Sequence, residues 1–128
     1  MVTAFTAAER VYLNAAPHLG RLATVGTDGF PHVTPVGWAF DPESGLIEIS
    51  GRAFATTRKY RNVLADPHVA IVIDEVLPPW HPRCVLVQGL GEAIAADPAG
   101  GEARIRITPT TVLSWGLDTD ETAGPSPT

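Results

Sequence analysis

The sequence predicts a mainly β (α+β) domain, a six-stranded antiparallel barrel with short flanking helices. Three observations lead there. Short apolar segments with two-residue alternation recur along the chain, hairpin-type turns separate most of them, and only a few short stretches carry a helical period instead. A parallel sheet would need a crossover helix after each strand. With 128 residues, 45% of them hydrophobic, the chain can bury one core. No repeat or composition break marks a second unit before the tail, so residues 1–117 are expected to form the domain and 118–128 a mobile polar end.

The elements follow in order. TAAERVYLNA opens with Thr6 and carries Glu9 three residues later, the spacing of a capping box, so a helix starts there and Pro17 ends it. GRLATVG, TDG and FPHVTPVGWAF then read as strand, turn and strand, with Asp28-Gly29 as the hairpin turn. Val36, Trp38 and Phe40 alternate onto one face, which places Trp38 against the core. DPESG turns the chain into LIEIS, where Ile47 and Ile49 share a face opposite Glu48. From Ala55 to Ala65 the period lengthens, and Tyr60, Val63 and Leu64 form the apolar side of a short helix that Asp66-Pro67 stops. HVAIVID is a nearly all-apolar strand with both faces covered. VLPPWHPR is a stiff connection, and CVLVQGLGEAIA and EARIRIT complete the six strands.

Charge narrows the function. A net charge of -5 argues against a nucleic-acid binder, because phosphate backbones are held by broad basic surfaces. No apolar run approaches the roughly 20 residues that span a bilayer, so no membrane association is expected. One cysteine forms no internal disulfide, and Glu9 and Arg10 interrupt the place where a leader would need an apolar core. A cytoplasmic protein is expected.

Against that acidic background stands FATTRKYRN, which holds the chain's one lysine, Lys59. Four of the nine cations fall between Arg52 and Arg61, and no carboxylate follows in this helix until Asp66. Two readings stand side by side: the cations keep a surface helix solvated, or they meet an anion. For the second, Ser50 and Gly51 end a strand, Thr56 and Thr57 are available as caps, and the first helical turn offers N–H groups to a phosphate. An exposed helix N-terminus contributes only about 0.3–1 kcal/mol toward an anion, so Arg58 and Lys59 would have to supply the rest.

RLATVGTDGFPHVTPVGWAFDPESGLIEISG, TTRKYRNVLADPHVAIVID, PRCVLVQGLGEAIA and IRITPTTVLSWGLD together resemble the pyridoxamine 5'-phosphate oxidase-like split β-barrel superfamily. Within it they resemble the deazaflavin branch, whose members use coenzyme F420. The likeness runs from Leu19 to Asp118; RLATVGTDGFPHVTPV and RKYRNVLADPHVA are its specific parts, and SWGLD adds weight toward the deazaflavin branch. The resemblance implies a split barrel of the FMN-binding type. It implies that Arg58 and Lys59, with Ser50 and Gly51, hold the cofactor's phosphate, and that Asn62 supports their helix. Pro35, Val36 and Gly37 would lie by the polar edge of the ring. It also implies a homodimer with the ring at the subunit interface, so that Trp80 and Trp115 close the pocket from the partner.

Other candidates point elsewhere. His18, His32, His68 and His81 show no zinc-site spacing, so no metal is expected. Cys84 has no neighbouring His or CxxC partner and reads as a small buried residue. GLGE at Gly89–Glu92 matches neither nucleotide signature and marks a bulge or a close barrel contact. No triad or carboxylate pair emerges and no catalytic side chain is assigned, as suits an enzyme whose cofactor carries the chemistry. The leading expectation is an oxidoreductase in which reduced F420 passes a hydride to a conjugated small-molecule acceptor. The alternatives are an FMN-dependent oxidase-like enzyme and a non-catalytic flavin- or tetrapyrrole-binding protein.

Overall fold

A computed structural model describes residues 5–15 and 19–117 of the chain. Pro17, His18 and the tail 118–128 lie outside the described residues. Helix α1 (Ala7–Ala15) is followed by strands β1 (Gly20–Val25), β2 (Pro31–Val36), β3 (Ala39–Asp41) and β4 (Leu46–Ser50). A 3-10 turn (Phe54–Thr56), helix α2 (Arg58–Ala65) and strands β5 (His68–Leu77), β6 (His81–Ile94) and β7 (Arg104–Trp115) complete it. Among the described residues no helix is long and apolar enough to cross a membrane.

One antiparallel sheet carries seven strands in the order β2-β1-β5-β6-β7-β4-β3, one more than the sequence predicts. The extra strand arises because FPHVTPVGWAF breaks at Gly37-Trp38 into β2 and β3, which lie at opposite edges of the sheet. Laid flat, those edges would be roughly 30 Å apart at about 4.8 Å per strand. The chain from Val36 to Ala39 spans at most roughly 10 Å. The sheet therefore curls until its edges approach, yet β2 and β3 share no ladder, and the result is a barrel split along one seam. Trp38 sits at this crossing, with Cδ1 3.2 Å from where a Cβ on Gly20 would stand.

Alternation fills the interior. Leu22, Ile47, Ile49, Ile71, Ile73, Val85, Val87, Ile105 and Ile107 are fully enclosed, with Trp38 and Phe40 packed partly buried against them. The turns use the chemistry the sequence offers. Asp28 Oδ1 accepts the Phe30 N–H at 3.0 Å while Gly29 takes φ +84°. At the next turn Ser44 Oγ donates to Asp41 Oδ2 at 2.8 Å; that bond and the Glu43 N–H hold the Asp41 carboxyl below its usual range. The connection expected over Val76–Arg83 is far shorter: β5 and β6 pair as far as Leu77 with His81, and Pro78, Pro79 and Trp80 alone make the turn. The GLGE segment carries a register shift between Gln88 and Gly89, where a Cβ on Gly89 would collide with the Thr108 carbonyl oxygen.

The two helices pack against the barrel. In α1 the capping box forms as spaced: Glu9 N donates to Thr6 Oγ1 at 3.1 Å and Thr6 N to Glu9 Oε1 at 2.8 Å. Ser114 Oγ donates to the other oxygen of Glu9 and ties the helix to β7. Helix α2 buries Tyr60 and Val63 but leaves Leu64 exposed, contrary to the predicted apolar side. Asn62 takes the buried place instead, and its Nδ2 donates to Thr24 Oγ1 of β1 at 3.0 Å. At 5% and 1% exposure neither side chain can turn to bulk water for a substitute. Asn62→Ala is therefore expected to cost about 1–3 kcal/mol in a urea titration, and adding Thr24→Val should recover much of it because both polar partners are then gone.

Candidate functional site

Helix α2 begins where Thr57, with φ −77° and ψ 155°, stops the 3-10 turn. Its Oγ1 accepts the Tyr60 N–H at 3.4 Å and donates to the Phe54 carbonyl at 2.6 Å, which makes it the cap. Thr56 does not cap the helix: its hydroxyl donates to the Ala53 carbonyl at 2.7 Å inside the preceding turn. The cations fan out from there. The Arg58 guanidinium lies 3.9 Å from Asp28 Oδ2 with both side chains about half exposed, a contact that contributes little. Lys59 Nζ stands 5.5 Å from the Phe54 ring centre. Arg61 folds back to donate to the Thr56 carbonyl at 3.0 Å. Among the described residues no ion pair engages Arg52, Lys59 or Arg61, so tertiary contacts leave the cluster's positive charge largely unbalanced.

Beside this cluster the outer wall of the barrel forms a groove of about 400 Å³. Its floor is small and apolar, from Ala23 and Val25 of β1, Pro31 of β2, Ala70 of β5 and Gly89 and Leu90 of β6. His68, Gln88 and Thr110 supply its polar margin. Gly26 follows Val25, and Arg58 Nη2 lies 3.5 Å from where a Cβ on Gly26 would stand. The groove and the cationic end of α2 therefore adjoin. A flat, largely apolar ring with a phosphate tail matches that combination, because small side chains let a ring approach the sheet while the charge sits at one end.

The residues expected at the site divide. Gly51 and Thr56 line a second cleft of about 410 Å³, between the 3-10 turn and the loop that joins β6 to β7. Ser50 is exposed at the end of β4 opposite Arg104. Asn62 is buried beneath α2 and serves the helix rather than a ligand surface. Pro35 and Gly37 are exposed and Val36 is buried; Pro35 and Val36 form the end of β2 far from Pro31 and Gly37 follows it, roughly 13 Å or more along the strand. Trp80 is exposed at the β5–β6 turn, and Trp115 is half-buried opposite Cys84. Leu77, next to that turn, is roughly 30 Å along β5 from His68, so Trp80 cannot reach this chain's own groove. The sequence reading weighed His68 only as a metal ligand and did not single out Gln88 or the floor alanines. The one available signal was small residues, Ala23, Ala70 and Gly89, on wall strands otherwise rich in Val, Leu and Ile.

The other reactive groups lie in quieter surroundings. Burial, and then the Asp74 carboxylate, push the Cys84 thiol up to about 11. Burial also pushes the Tyr12 hydroxyl up to about 12, with Glu75 adding to the effect. At pH 8 only about one Cys84 in a thousand would be thiolate, so native protein is expected to react with a disulfide reagent far more slowly than urea-unfolded protein does. Equal rates would place the thiol in solvent.

A family profile described as pyridoxamine 5'-phosphate oxidase matches residues 6–116. The chain belongs to the pyridoxamine 5'-phosphate oxidase family. Its split barrel and its groove beside a cationic helix are thus those of a pyridoxamine 5'-phosphate oxidase family member. A 5a,11a-dehydrotetracycline/5a,11a-dehydrooxytetracycline reductase from Streptomyces rimosus is 41% identical over 130 residues, covering 94% of this chain and 89% of that one. A conserved hypothetical protein from Mycobacterium tuberculosis superposes with a TM-score of 0.71 at 21% identity, over 95% of this chain and 94% of that one. An F420 reductase superposes at 0.58 with 26% identity, over 80% of this chain and 94% of that one.

Proposed function

We propose that this family member is a cytoplasmic reductase that uses reduced coenzyme F420 to saturate a carbon–carbon double bond conjugated to a carbonyl. The acceptor we infer is a polycyclic enone of the dehydrotetracycline type. The observation that carries the reading is the 41% identity, across 94% of the chain, to a reductase whose named substrates are two such molecules. The likeness to an F420 reductase and the RKYRN and SWGLD segments favour the deazaflavin over FMN.

The residues present suit such a cofactor. Arg58 and Lys59 would hold its phosphate, and the wall of Ala23, Val25 and Ala70 would pack against its ring. Bound there, the reduced deazaflavin supplies a hydride. The chain's own part is to fix the ring against the sheet, to present one ring face to the acceptor and to keep water from the transfer. Water exclusion asks for a cover that one copy lacks: Phe30, Val33 and Leu90 are all exposed around the groove. A second copy would supply it and would bring Trp80 or Trp115 within reach, so we infer a homodimer.

Protein purified from a host without F420 is expected to be nearly colourless, to bind F420 more tightly than FMN in parallel titrations, and to oxidise reduced F420 under anaerobic conditions only when 5a,11a-dehydrotetracycline is added. Stoichiometric FMN in the purified protein would favour the oxidase-like alternative. Light scattering that returned a monomer at micromolar concentration would remove the shared interface.

A further inference from the structure

Of the side chains that line the outer groove, one alone can gain or lose a proton near neutral pH, and it is His68. It opens β5 just past the end of α2. Its ring Nδ1 lies 2.8 Å from Asp66 Oδ1, and the same oxygen accepts its backbone N–H at 3.0 Å. These two bonds, the backbone one foremost, hold the Asp66 carboxyl below its usual range. The carboxylate thus orients the ring through Nδ1 and leaves Nε2 for a molecule in the groove. On β6, Leu90 pairs with His68 and Gln88 with Ala70, so His68 and Gln88 are diagonal neighbours on the outer face, roughly 7–8 Å apart. Among the described residues no hydrogen bond engages the Gln88 amide. Facing His68 from β6 are Leu90 and Gln88 and along its own strand Ala70, none of which titrates; among the described residues Asp66 is the one charge within ion-pair distance.

Enone reduction needs an acid. When a hydride adds to the β-carbon, the C=C pair moves toward the carbonyl and leaves an enolate, which a proton on its oxygen or on the α-carbon neutralises to give product. We propose that His68, oriented by Asp66, donates that proton from Nε2, and that the Gln88 amide hydrogen-bonds the acceptor's carbonyl oxygen. The acceptor gains hydride and proton, the deazaflavin is oxidised, and the neutral imidazole left behind reprotonates from solvent. This rests on the reductase reading above.

The test uses the full chain, reduced F420 and 5a,11a-dehydrotetracycline, with His68→Gln, Asp66→Asn and Asp66→Glu. F420 affinity is titrated for all three, so that a loss of cofactor is told apart from a loss of proton transfer. In His68→Gln, kcat should fall by about 10²- to 10⁴-fold with KM little changed, and the loss of rate as pH rises through the histidine range should vanish from the profile. Asn at position 66 keeps the turn's acceptor but loses the charge that orients the ring, so kcat should fall there as well with KM little changed, and Glu should restore part of it. Independently of turnover, the ring-proton NMR signal of His68 should move when oxytetracycline is added to wild-type protein. A His68→Gln enzyme with wild-type kcat and pH profile, or a His68 signal indifferent to oxytetracycline, overturns the assignment and leaves the reductase reading standing. Wild-type protein that neither binds nor oxidises reduced F420 removes both. Should His68→Gln fail to fold, kcat of Asp66→Asn decides alone, and a wild-type value there overturns the proposal.

Discussion

Exchanging both Arg58 and Lys59 for alanine should weaken F420 binding by about 10²- to 10⁴-fold. If the two hold the phosphate as proposed, each exchange would remove a charge-assisted hydrogen bond worth about 1.5–3 kcal/mol, and about 1.4 kcal/mol is tenfold in affinity. The fold should survive, since Arg58 is exposed and its partner Asp28 lies 3.9 Å away across solvent. Lys59 does give up its contact with the Phe54 ring, so the melting temperature is expected to drop slightly. Lys59→Arg alone should fall between wild type and Lys59→Ala, because a planar guanidinium meets phosphate in a different geometry from an ammonium. Added salt should weaken wild-type binding more than that of the double variant. Calorimetric titration would show this directly. If the cluster only keeps the helix solvated, affinity will not change in any of these variants.

A second large effect is expected in the barrel itself, where Ile107→Ala should cost about 2–5 kcal/mol. Ile107 has no exposure and lies opposite Ile47 of β4 on one side and Gly91 of β6 on the other. Its Cγ2 also stands 3.1 Å from where a Cβ on Gly89 would be, so the bulge and this side chain fill one volume. Neighbouring strands cannot collapse into the gap without giving up ladder hydrogen bonds on both sides of β7. Of a typical total stability of about 5–15 kcal/mol, that loss is a large share. The urea midpoint should fall while the slope stays constant, as it does when stability changes and compactness does not. A shift below about 1 kcal/mol would show that the barrel relaxes around the site.

The outline of the domain was legible in period and turn chemistry. Thr6 and Glu9 announced α1, Asp28-Gly29 and Asp41–Gly45 announced two hairpins, and the isoleucines of β4 and β7 alternate into the core as their spacing implies; β5, expected to be covered on both faces, instead buries Val69, Ile71 and Ile73 and leaves Ala70 and Val72 partly exposed on the outer wall. Local chemistry was enough there, because a cap or a two-residue alternation is decided within a few residues. The strand count was not legible, since nothing in PVGWAF says that the chain leaves one edge of the sheet and rejoins at the other. Leu64 and Asn62 show the same limit: helical spacing assigned Leu64 to the covered side, but β1 offers the Thr24 hydroxyl, and the helix turns its amide toward it.

The sequence by itself determined the class of fold, the cationic start of α2 and, through RKYRN and the segments around it, the family. All of these rest on residues close together in the chain. Only the tertiary structure decided that this cationic end borders an apolar groove, because the groove's walls come from β1, β2, β5 and β6, brought together by antiparallel pairing over dozens of residues. It likewise decided that His68 faces that groove with Asp66 at its back. An Asp-Pro-His run in a sequence reads as a helix stop, and it becomes a candidate acid only when a strand register sets the ring across from Gln88 and Leu90. Curling a seven-stranded sheet shut is a long-range event: the short link through Gly37 and Trp38 permits it, and the burial of the isoleucine interior drives it.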